Sequence, residues 1–396
     1  MAVFELRPPL TAEERVQKRR LIVRDSISLF ILFLITVALA VLTYSLFSSF
    51  ARHRDALARR WRTNGERALR SGNAKEAIND LHSALEYAPG QRDLEIELAT
   101  ALAAAGNYQE ATAYFNSLLE AQPGNGYIHL QLARLAAKQN NPKLAEEHYQ
   151  RALDGMWEGD GYLRRLAVRL ELARYLISQK DFAYAQTELR TATGNAPDVP
   201  ETQLQIAGLM EQAQDPEDAL QIYRAQMIHR NAPIEVFEGA GRTAYALGRI
   251  AIARDALARA VDHPRFAAQN EDVRNSVKQM LDHAIRLLQL YPDPNLHVRA
   301  LAGRILTDSN IARGRLTSCL ADANVAGKLA NLQQQWQQIP ANLTVRALEQ
   351  DPQMEQTIMS LVYDTERQTA QLCGAPSGDD ALLLKIAQSP MAVQQQ

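Results

Sequence analysis

Two stretches of the chain, GNAKEAINDLHSALEYAP at 72–89 and GNYQEATAYFNSLLEAQP at 106–123, carry the same pattern of residues 34 positions apart. A third stretch, NPKLAEEHYQRAL at 141–153, continues the pattern at the same interval. Self-similarity at a fixed period is the mark of a repeat architecture, so this pattern decides the fold. Glycine and proline are sparse, at 19 and 16 of 396 residues, which favours an all-α chain.

The pattern extends over six repeats when single columns are followed along the chain. Alanines form one column, with steps of 34, 34, 40, 34 and 34 residues, at Ala77, Ala111, Ala145, Ala185, Ala219 and Ala253. A large apolar residue follows each by four positions, at Leu81, Phe115, Tyr149, Leu189, Tyr223 and Leu257. A small residue precedes each by twelve positions, at Gly65, Ala99, Ala133, Ala173, Ala207 and Gly241.

Two departures interrupt the columns. The step of 40 requires a six-residue insertion near GMWEGDGYLRR at 155–165, which we expect to be an exposed loop or a lengthened helix connection. The fifth repeat carries Gln226 where most repeats have a small residue.

In period and residue character these columns resemble the tetratricopeptide repeat over roughly residues 58–267, about half of the chain. The resemblance implies two antiparallel helices per repeat, stacked into an α-solenoid superhelix whose first helices line a concave, protein-binding surface. Small residues allow close approach of the helices, and neighbouring pairs must stack because none buries its apolar face alone. Gly72, Gly106 and Gly248 mark the turn between the two helices, where a left-handed residue ends the first.

An uncharged segment, ISLFILFLITVALAVLTYSLFSSF at 27–50, precedes the repeats. As a helix it would be about 36 Å long, enough to cross a bilayer. The alternatives are a signal peptide cleaved near Ser49-Phe50-Ala51 and a buried core helix. A signal peptide has a shorter apolar core, and this segment has no polar face, so we predict a transmembrane helix.

Charge is unevenly distributed around this segment. Residues 1–70 carry 13 Lys/Arg against 6 Asp/Glu, and the remainder carries 30 against 39. The basic excess flanks the apolar segment, where anionic lipid headgroups attract it. Both flanks are equally basic, so the positive-inside rule gives no orientation. Because a short basic tail usually stays in the cytoplasm, we predict a cytoplasmic tail at 1–26 and a single-pass protein of the bacterial inner membrane with periplasmic repeats.

The period fades after residue 268. Helical patterns continue at 269–291, 296–320, 324–338 and 352–372, so residues 268–373 are expected to be degenerate repeats or a helical cap. Residues 374–396 are expected to be a flexible tail with one short helix at 379–388.

Motifs for chemistry are missing from the sequence. The eight histidines show no zinc-binding spacing, and no phosphate-binding loop or nucleophile elbow occurs. We therefore predict no enzyme activity, no cofactor and no metal site, and no nucleic-acid partner because no basic stripe with aromatics is present. His148 is expected on a solvated helix face. Cys319 and Cys373 form either a disulfide in an oxidising compartment or two buried thiols.

One column offers a candidate binding site. The geometry of the resembled family points the residue after each small first-helix residue toward the concave surface. These ridge positions are Glu66, Thr100, Arg134, Arg174, Gly208 and Arg242. The three arginines, with Lys138 four residues after Arg134, would grip the carboxylates of acidic segments or C-termini. The alternative is ordinary solvated arginine.

The resulting functional hypothesis is a membrane-anchored scaffold or assembly factor that binds other proteins on its concave surface. A permanent structural subunit of a membrane complex is the alternative. A regulator or redox-active protein that uses Cys319 and Cys373 is less favoured, because their spacing of 54 is unlike Cys-x-x-Cys.

Overall fold

The computed structural model describes residues 12–388. Over that range the chain is helical and has no named strand, and it divides into two compact units, Met1–Gly161 and Tyr162–Gln396. The first helices are α1 (Ala12–Arg70), α2 (Ala74–Tyr87), α3 (Arg92–Ala104), α4 (Tyr108–Ala121), α5 (Gly126–Lys138) and α6 (Pro142–Asp154).

The remaining helices belong to the second unit. The repeats continue as α7 (Gly161–Ser178), α8 (Phe182–Asn195), α9 (Pro200–Gln212), α10 (Pro216–Gln226), α11 (Ile234–Ala246) and α12 (Ile250–Val261). After a 3₁₀ turn at Phe266–Ala268 come α13 (Glu271–Leu290), α14 (Val298–Leu320), α15 (Ala323–Ala326), α16 (Ala330–Gln338), α17 (Val345–Glu349), α18 (Pro352–Leu372) and α19 (Gly378–Gln388).

Six helix pairs follow the predicted columns. Each pair has a second helix, even-numbered from α2 to α12, whose column alanine is fully buried, at Ala77, Ala111, Ala145, Ala185, Ala219 and Ala253. The large residues four positions later are buried as well. The prediction of an all-α chain with tetratricopeptide-like helix pairs is confirmed, because the columns that define the repeat also fill its core.

All six pairs turn in the same way. The residue between the two helices has a positive φ in every repeat, at Gly72 (79°), Gly106 (87°), Asn140 (55°), Lys180 (63°), Gln214 (61°) and Gly248 (75°). The next N–H donates back to a carbonyl five residues earlier, as in Asn73 N to Ala68 O at 2.8 Å and Asp215 N to Met210 O at 2.9 Å. This is the Schellman ending of a helix, and three repeats make it without glycine.

The first repeat has no separate first helix. Helix α1 runs for 59 residues and includes both the apolar segment and the first helix of repeat 1. Residues 51–60, ARHRDALARR, contain neither glycine nor proline and are rich in helix-forming Ala, Arg and Leu, so nothing ends the helix there. By length and composition α1 is the one described helix suited to crossing a membrane.

The six-residue insertion is divided between a loop and a helix. Helix α7 has 18 residues where other first helices have 13, so it absorbs most of the additional length. The loop before it is attached to the first unit: Met156 N donates to Gly124 O at 2.7 Å, and Gly126 N donates to Met156 O at 2.9 Å.

The C-terminal helices share one apolar core, and this corrects the predicted tail. The short helix expected at 379–388 is present as α19, but it is not part of a flexible tail, because Leu382, Leu383 and Ile386 are buried in the core that α13, α14 and α18 form. Arg286 of α13 pairs with Asp379 at 2.6 Å and fixes the start of α19. Residues 389–396 of the predicted tail, and 1–11 of the predicted basic tail, lie outside the described residues.

Candidate functional site

The ridge positions of the first unit present two cations. Arg134 and Lys138 are both exposed on α5. The Lys138 ammonium lies 5.9 Å from the centre of the Tyr108 ring on α4, at the edge of the range for a cation–π contact. Both side chains are thus exposed to solvent on the same helix.

Glu66, the ridge residue of repeat 1, is already engaged. Arg62 lies 3.2 Å from the Glu66 carboxylate and also binds Glu97 of α3. Burial raises the pKa of Glu97, and the hydrogen bond from Arg62 opposes that rise. This cluster joins the first helices of repeats 1 and 2.

In the second unit the ridge positions differ from one another in their partners. Arg174 of α7 is exposed and makes no hydrogen bond or ion pair to any residue within 12–388. Gly208 of α9 faces open space, since a Cβ placed there would meet no atom within 4 Å. Arg242 of α11 is exposed, but its guanidinium lies 2.9 Å from Glu211.

Glu211 is the centre of a small polar network. It accepts hydrogen bonds from Arg242, from the Thr243 hydroxyl, and from the Tyr223 hydroxyl at 3.4 Å. Burial and the neighbouring Glu211 carboxylate raise the pKa of Tyr223 to about 12, so this phenol stays protonated. A partner carboxylate can reach Arg174 directly, whereas at Arg242 it has to displace Glu211.

A cleft of about 480 Å³ lies where the fifth repeat departs from the small-residue column. Gln226 is 3% exposed and donates a hydrogen bond to Asp198 at 2.8 Å. Its side chain therefore occupies the position that a small residue holds in most of the other repeats. Met210 and Ile222 supply apolar wall, and Arg190 supplies a cation at the rim. Arg190 is itself paired with Asp215 and Asp218.

Two histidines form a buried pair that the sequence did not indicate. His148 is 9% exposed, so its expected place on a solvated face is wrong. Its Nδ1 lies 3.1 Å from Nδ1 of His129, and His129 Nε2 lies 3.0 Å from the Pro123 carbonyl. Since that carbonyl only accepts, His129 carries its proton on Nε2, and His148 donates from Nδ1. Burial lowers the pKa of His148, and the His129 ring lowers it further.

The C-terminal core holds two carboxyl groups and the two cysteines. The structure joins Cys319 of α14 to Cys373 after α18, with their Cα atoms 5.9 Å apart. Asp308 of α14 and Glu366 of α18 are fully buried, and none of their side-chain oxygens has a hydrogen-bond partner among residues 12–388. Burial raises the pKa of each to about 8, which keeps both largely protonated at neutral pH.

Among the described residues, no group of three or more His, Cys, Asp or Glu side chains is placed to hold a metal ion. What the surfaces of both units offer is exposed cations on first helices. That arrangement suits recognition of carboxylates through guanidinium and ammonium groups.

Comparison with known proteins identifies the repeat. The family model of the tetratricopeptide repeat matches residues 68–118 and 102–156. No curated protein matches the chain.

Solved structures with a similar arrangement of helices include PilW, a type IV pilus biogenesis factor (16% identity, 56% of this chain and 98% of that chain, TM-score 0.38). PilF of Pseudomonas aeruginosa is similar too (17% identity, 57% and 99%, TM-score 0.37), as is yeast Tom70 (14% identity, 87% and 55%, TM-score 0.37). At these values none of the three bears on function.

Proposed function

We propose that this chain, a tetratricopeptide-repeat protein, is a membrane-anchored scaffold that binds acidic protein segments along the first helices of its repeats. The observation that carries the proposal is α1, in which an apolar segment long enough to cross a bilayer continues directly into the first repeat. A protein-binding array is thereby fused to an anchor, which is what a scaffold at a membrane requires.

The binding surface is proposed at the exposed ridge cations. Arg134 and Lys138 serve the first unit, and Arg174 serves the second, where its guanidinium has no partner within residues 12–388. A guanidinium forms paired hydrogen bonds with a carboxylate, so an acidic segment or a C-terminus is the expected ligand. Arg242 contributes only where a ligand displaces Glu211.

The proposed orientation places the repeats outside the cytoplasm, in the periplasm of a bacterium. Support comes from Cys319 and Cys373, whose Cα atoms lie 5.9 Å apart in one helical core, a separation that a disulfide spans. Disulfides form and persist in oxidising compartments. A thiol-reactive reagent that does not cross membranes should label a variant at an exposed position of the third repeat, Lys143→Cys, in intact cells, and protection from labelling would contradict this orientation.

Charge reversal tests the binding surface. The full chain is purified in mild detergent, and partners from native membranes are captured and identified by mass spectrometry. We expect Arg134→Glu/Arg174→Glu to lose these partners while keeping its helical content. The matched control is Lys180→Glu, which reverses an exposed charge in the turn after α7, away from the ridge. Equal capture by the double variant and wild type would refute binding at the ridge.

An exposed side chain favours a second candidate, a permanent subunit of a membrane complex. Ile228 is 83% exposed in the connection after α10 and adjoins a cleft with Ile252 and Met227. Exposed apolar residues that form a contiguous patch mark a surface that a partner covers. Ile228→Ser should leave a scaffold monomeric and soluble in detergent, but should release a permanent subunit from its complex.

A further inference from the structure

The membrane anchoring proposed above leads to a second surface on the first unit. We propose that the arginine collar (Arg52, Arg54, Arg59 and Arg60) and the loop between α2 and α3 contact anionic phospholipid headgroups. This contact would hold the first repeat directly against the bilayer, in one pose.

The distance along α1 is the first step of the argument. The apolar segment ends at Phe50, and Ala58, eight residues later, is 5% exposed because it packs inside the first repeat. At 1.5 Å per residue the repeat therefore begins roughly 12 Å beyond the apolar segment. No flexible linker separates the two, since α1 is continuous from Ala12 to Arg70.

The collar places positive charge from Arg52 to Arg60, roughly 3 to 15 Å beyond Phe50 along the helix. All four arginines are exposed, and none forms an ion pair with a carboxylate among residues 12–388. The nearest acidic residue in sequence is Asp55, whose one negative charge cannot balance the four positive charges of the collar. Successive helical residues differ by about 100°, so the collar surrounds the helix on several sides. Arg62, one turn further, is by contrast paired inside the repeat with Glu66 and Glu97.

The loop between α2 and α3 lies at the same level as the collar. Helix α2 runs back along α1, and a Cβ on Gly65 would meet Leu81 Cγ at 2.8 Å, which fixes the register of the pair. Counting back from that contact places Gly90 about level with Ala56, roughly 9 Å beyond Phe50. Pro89, Gln91 and Arg92 are exposed there.

The collar and the loop thus lie within about one Debye length of headgroup phosphates, where attraction of arginine is effective. Control arginines are available on the same helix. Arg67 and Arg70 are exposed, but Arg67 lies roughly 25 Å beyond Phe50, outside that range.

Position is tested with the full chain carrying Gln91→Cys, labelled with a fluorophore and reconstituted in vesicles that contain nitroxide-headgroup lipid. The unsubstituted chain serves as the labelling blank. We expect the nitroxide lipid to quench the fluorophore strongly, because the loop should lie at the level of the headgroups. Inserting seven alanines after Ala51 keeps the helical phase to about 20° and lifts the repeat by roughly 10 Å, so quenching should be lost. The same insertion before Lys18 should leave quenching unchanged.

The preference for anionic lipid is tested with arginine-to-glutamine variants, each reconstituted in vesicles of phosphatidylcholine and phosphatidylglycerol. Arg54→Gln/Arg59→Gln/Arg60→Gln should reduce the enrichment of phosphatidylglycerol around the protein, and Arg67→Gln/Arg70→Gln should leave it unchanged. Weak quenching in wild type, or equal enrichment in both variants, would overturn the lipid contact while leaving the scaffold proposal intact. If alkaline carbonate extracts the chain from vesicles, the chain is not anchored by a transmembrane helix, and both the scaffold proposal and the lipid contact are wrong.

Discussion

Single residues in this chain carry ionisable groups into cores that are otherwise apolar. The rings of His129 and His148 share one hydrogen bond, so their two facing Nδ1 atoms hold one proton between them. The side-chain oxygens of Asp308 and Glu366 have no hydrogen-bond partner in the part of the chain that the structure describes. Each of these groups links the stability of its core to pH, and the sign differs between them.

His148 should make the first unit less stable in acid. Its pKa is lowered in the folded chain, so below about pH 6.5 the unfolded chain takes up a proton that the folded chain refuses. The melting temperature should therefore fall between pH 7.5 and 5.5. His148→Gln should reduce this fall, whereas the exposed His82→Gln should retain it. An unchanged pH dependence in His148→Gln would show that another group causes the loss of stability in acid.

Asp308 should make the C-terminal core less stable in base. The folded chain keeps its proton up to about pH 8, while the unfolded chain releases it above a pKa of 3.8. Stability should therefore decline as pH rises from 4 to 8, and Asp308 should contribute at most about 1.4 kcal/mol per pH unit, with a similar share from Glu366. Asp308→Asn should remove its share of this slope, and the exposed Asp282→Asn should not change the slope. Equal slopes in denaturant titrations would contradict the assignment.

At the scale of elements, the turn between paired helices explains both what the sequence predicted and what it missed. Three turns were recognisable because Gly72, Gly106 and Gly248 take the positive φ at little cost. The equivalent Lys180 and Gln214 adopt it as well, because neighbouring repeats hold both helices in place. Local residue preferences cannot report a conformation that packing imposes.

Replacing the turn glutamine should stabilise the repeat. Gln214 has φ 61°, and a left-handed residue with a side chain costs about 1 kcal/mol relative to glycine. Gln214→Gly should therefore raise the free energy of unfolding by up to about 1 kcal/mol. Gln139→Gly is the matched control, because Gln139 has φ −84° and glycine there should destabilise by a similar amount. Chemical denaturation of both variants measures the difference.

A disulfide between Cys319 and Cys373 should stabilise the C-terminal core. Cys319 and Cys373 are separated by 54 positions, and closing a loop of that length constrains the unfolded chain by about 4 kcal/mol. Adding reductant should lower the melting temperature of wild type but not of Cys319→Ser/Cys373→Ser. Two free thiols in chain purified without reductant would contradict the disulfide.

The same contrast between pattern and packing applies to the candidate sites. The ridge positions follow from the repeat period together with the geometry that the family resemblance implies, so Arg134, Arg174 and Arg242 could be named from the sequence. The ion pair between Glu211 and Arg242 could not be predicted, because the two residues are 31 positions apart and meet only when neighbouring repeats stack. Likewise the burial of His148 depends on His129 in the preceding helix, which no helical period reveals.

For the whole molecule, the question is whether partners are permanent or exchange. A scaffold in mild detergent should behave as a monomer whose mass is that of the 44.2 kDa chain plus detergent. A permanent subunit should remain in a larger particle of fixed stoichiometry. Light scattering after extraction from native membranes distinguishes these outcomes, and a fixed large particle would favour the second candidate.

Because helix α1 is continuous, it also affects the rate at which partners are captured. A repeat array on a flexible tether would sweep a volume whose radius grows with the tether. With the apolar part of α1 in a bilayer, the first three repeats can only spin about the anchor and drift with it. Encounters then take place within a thin layer, by lateral diffusion, so the rate of capture depends on how many partners occupy each unit of membrane area and much less on their bulk concentration.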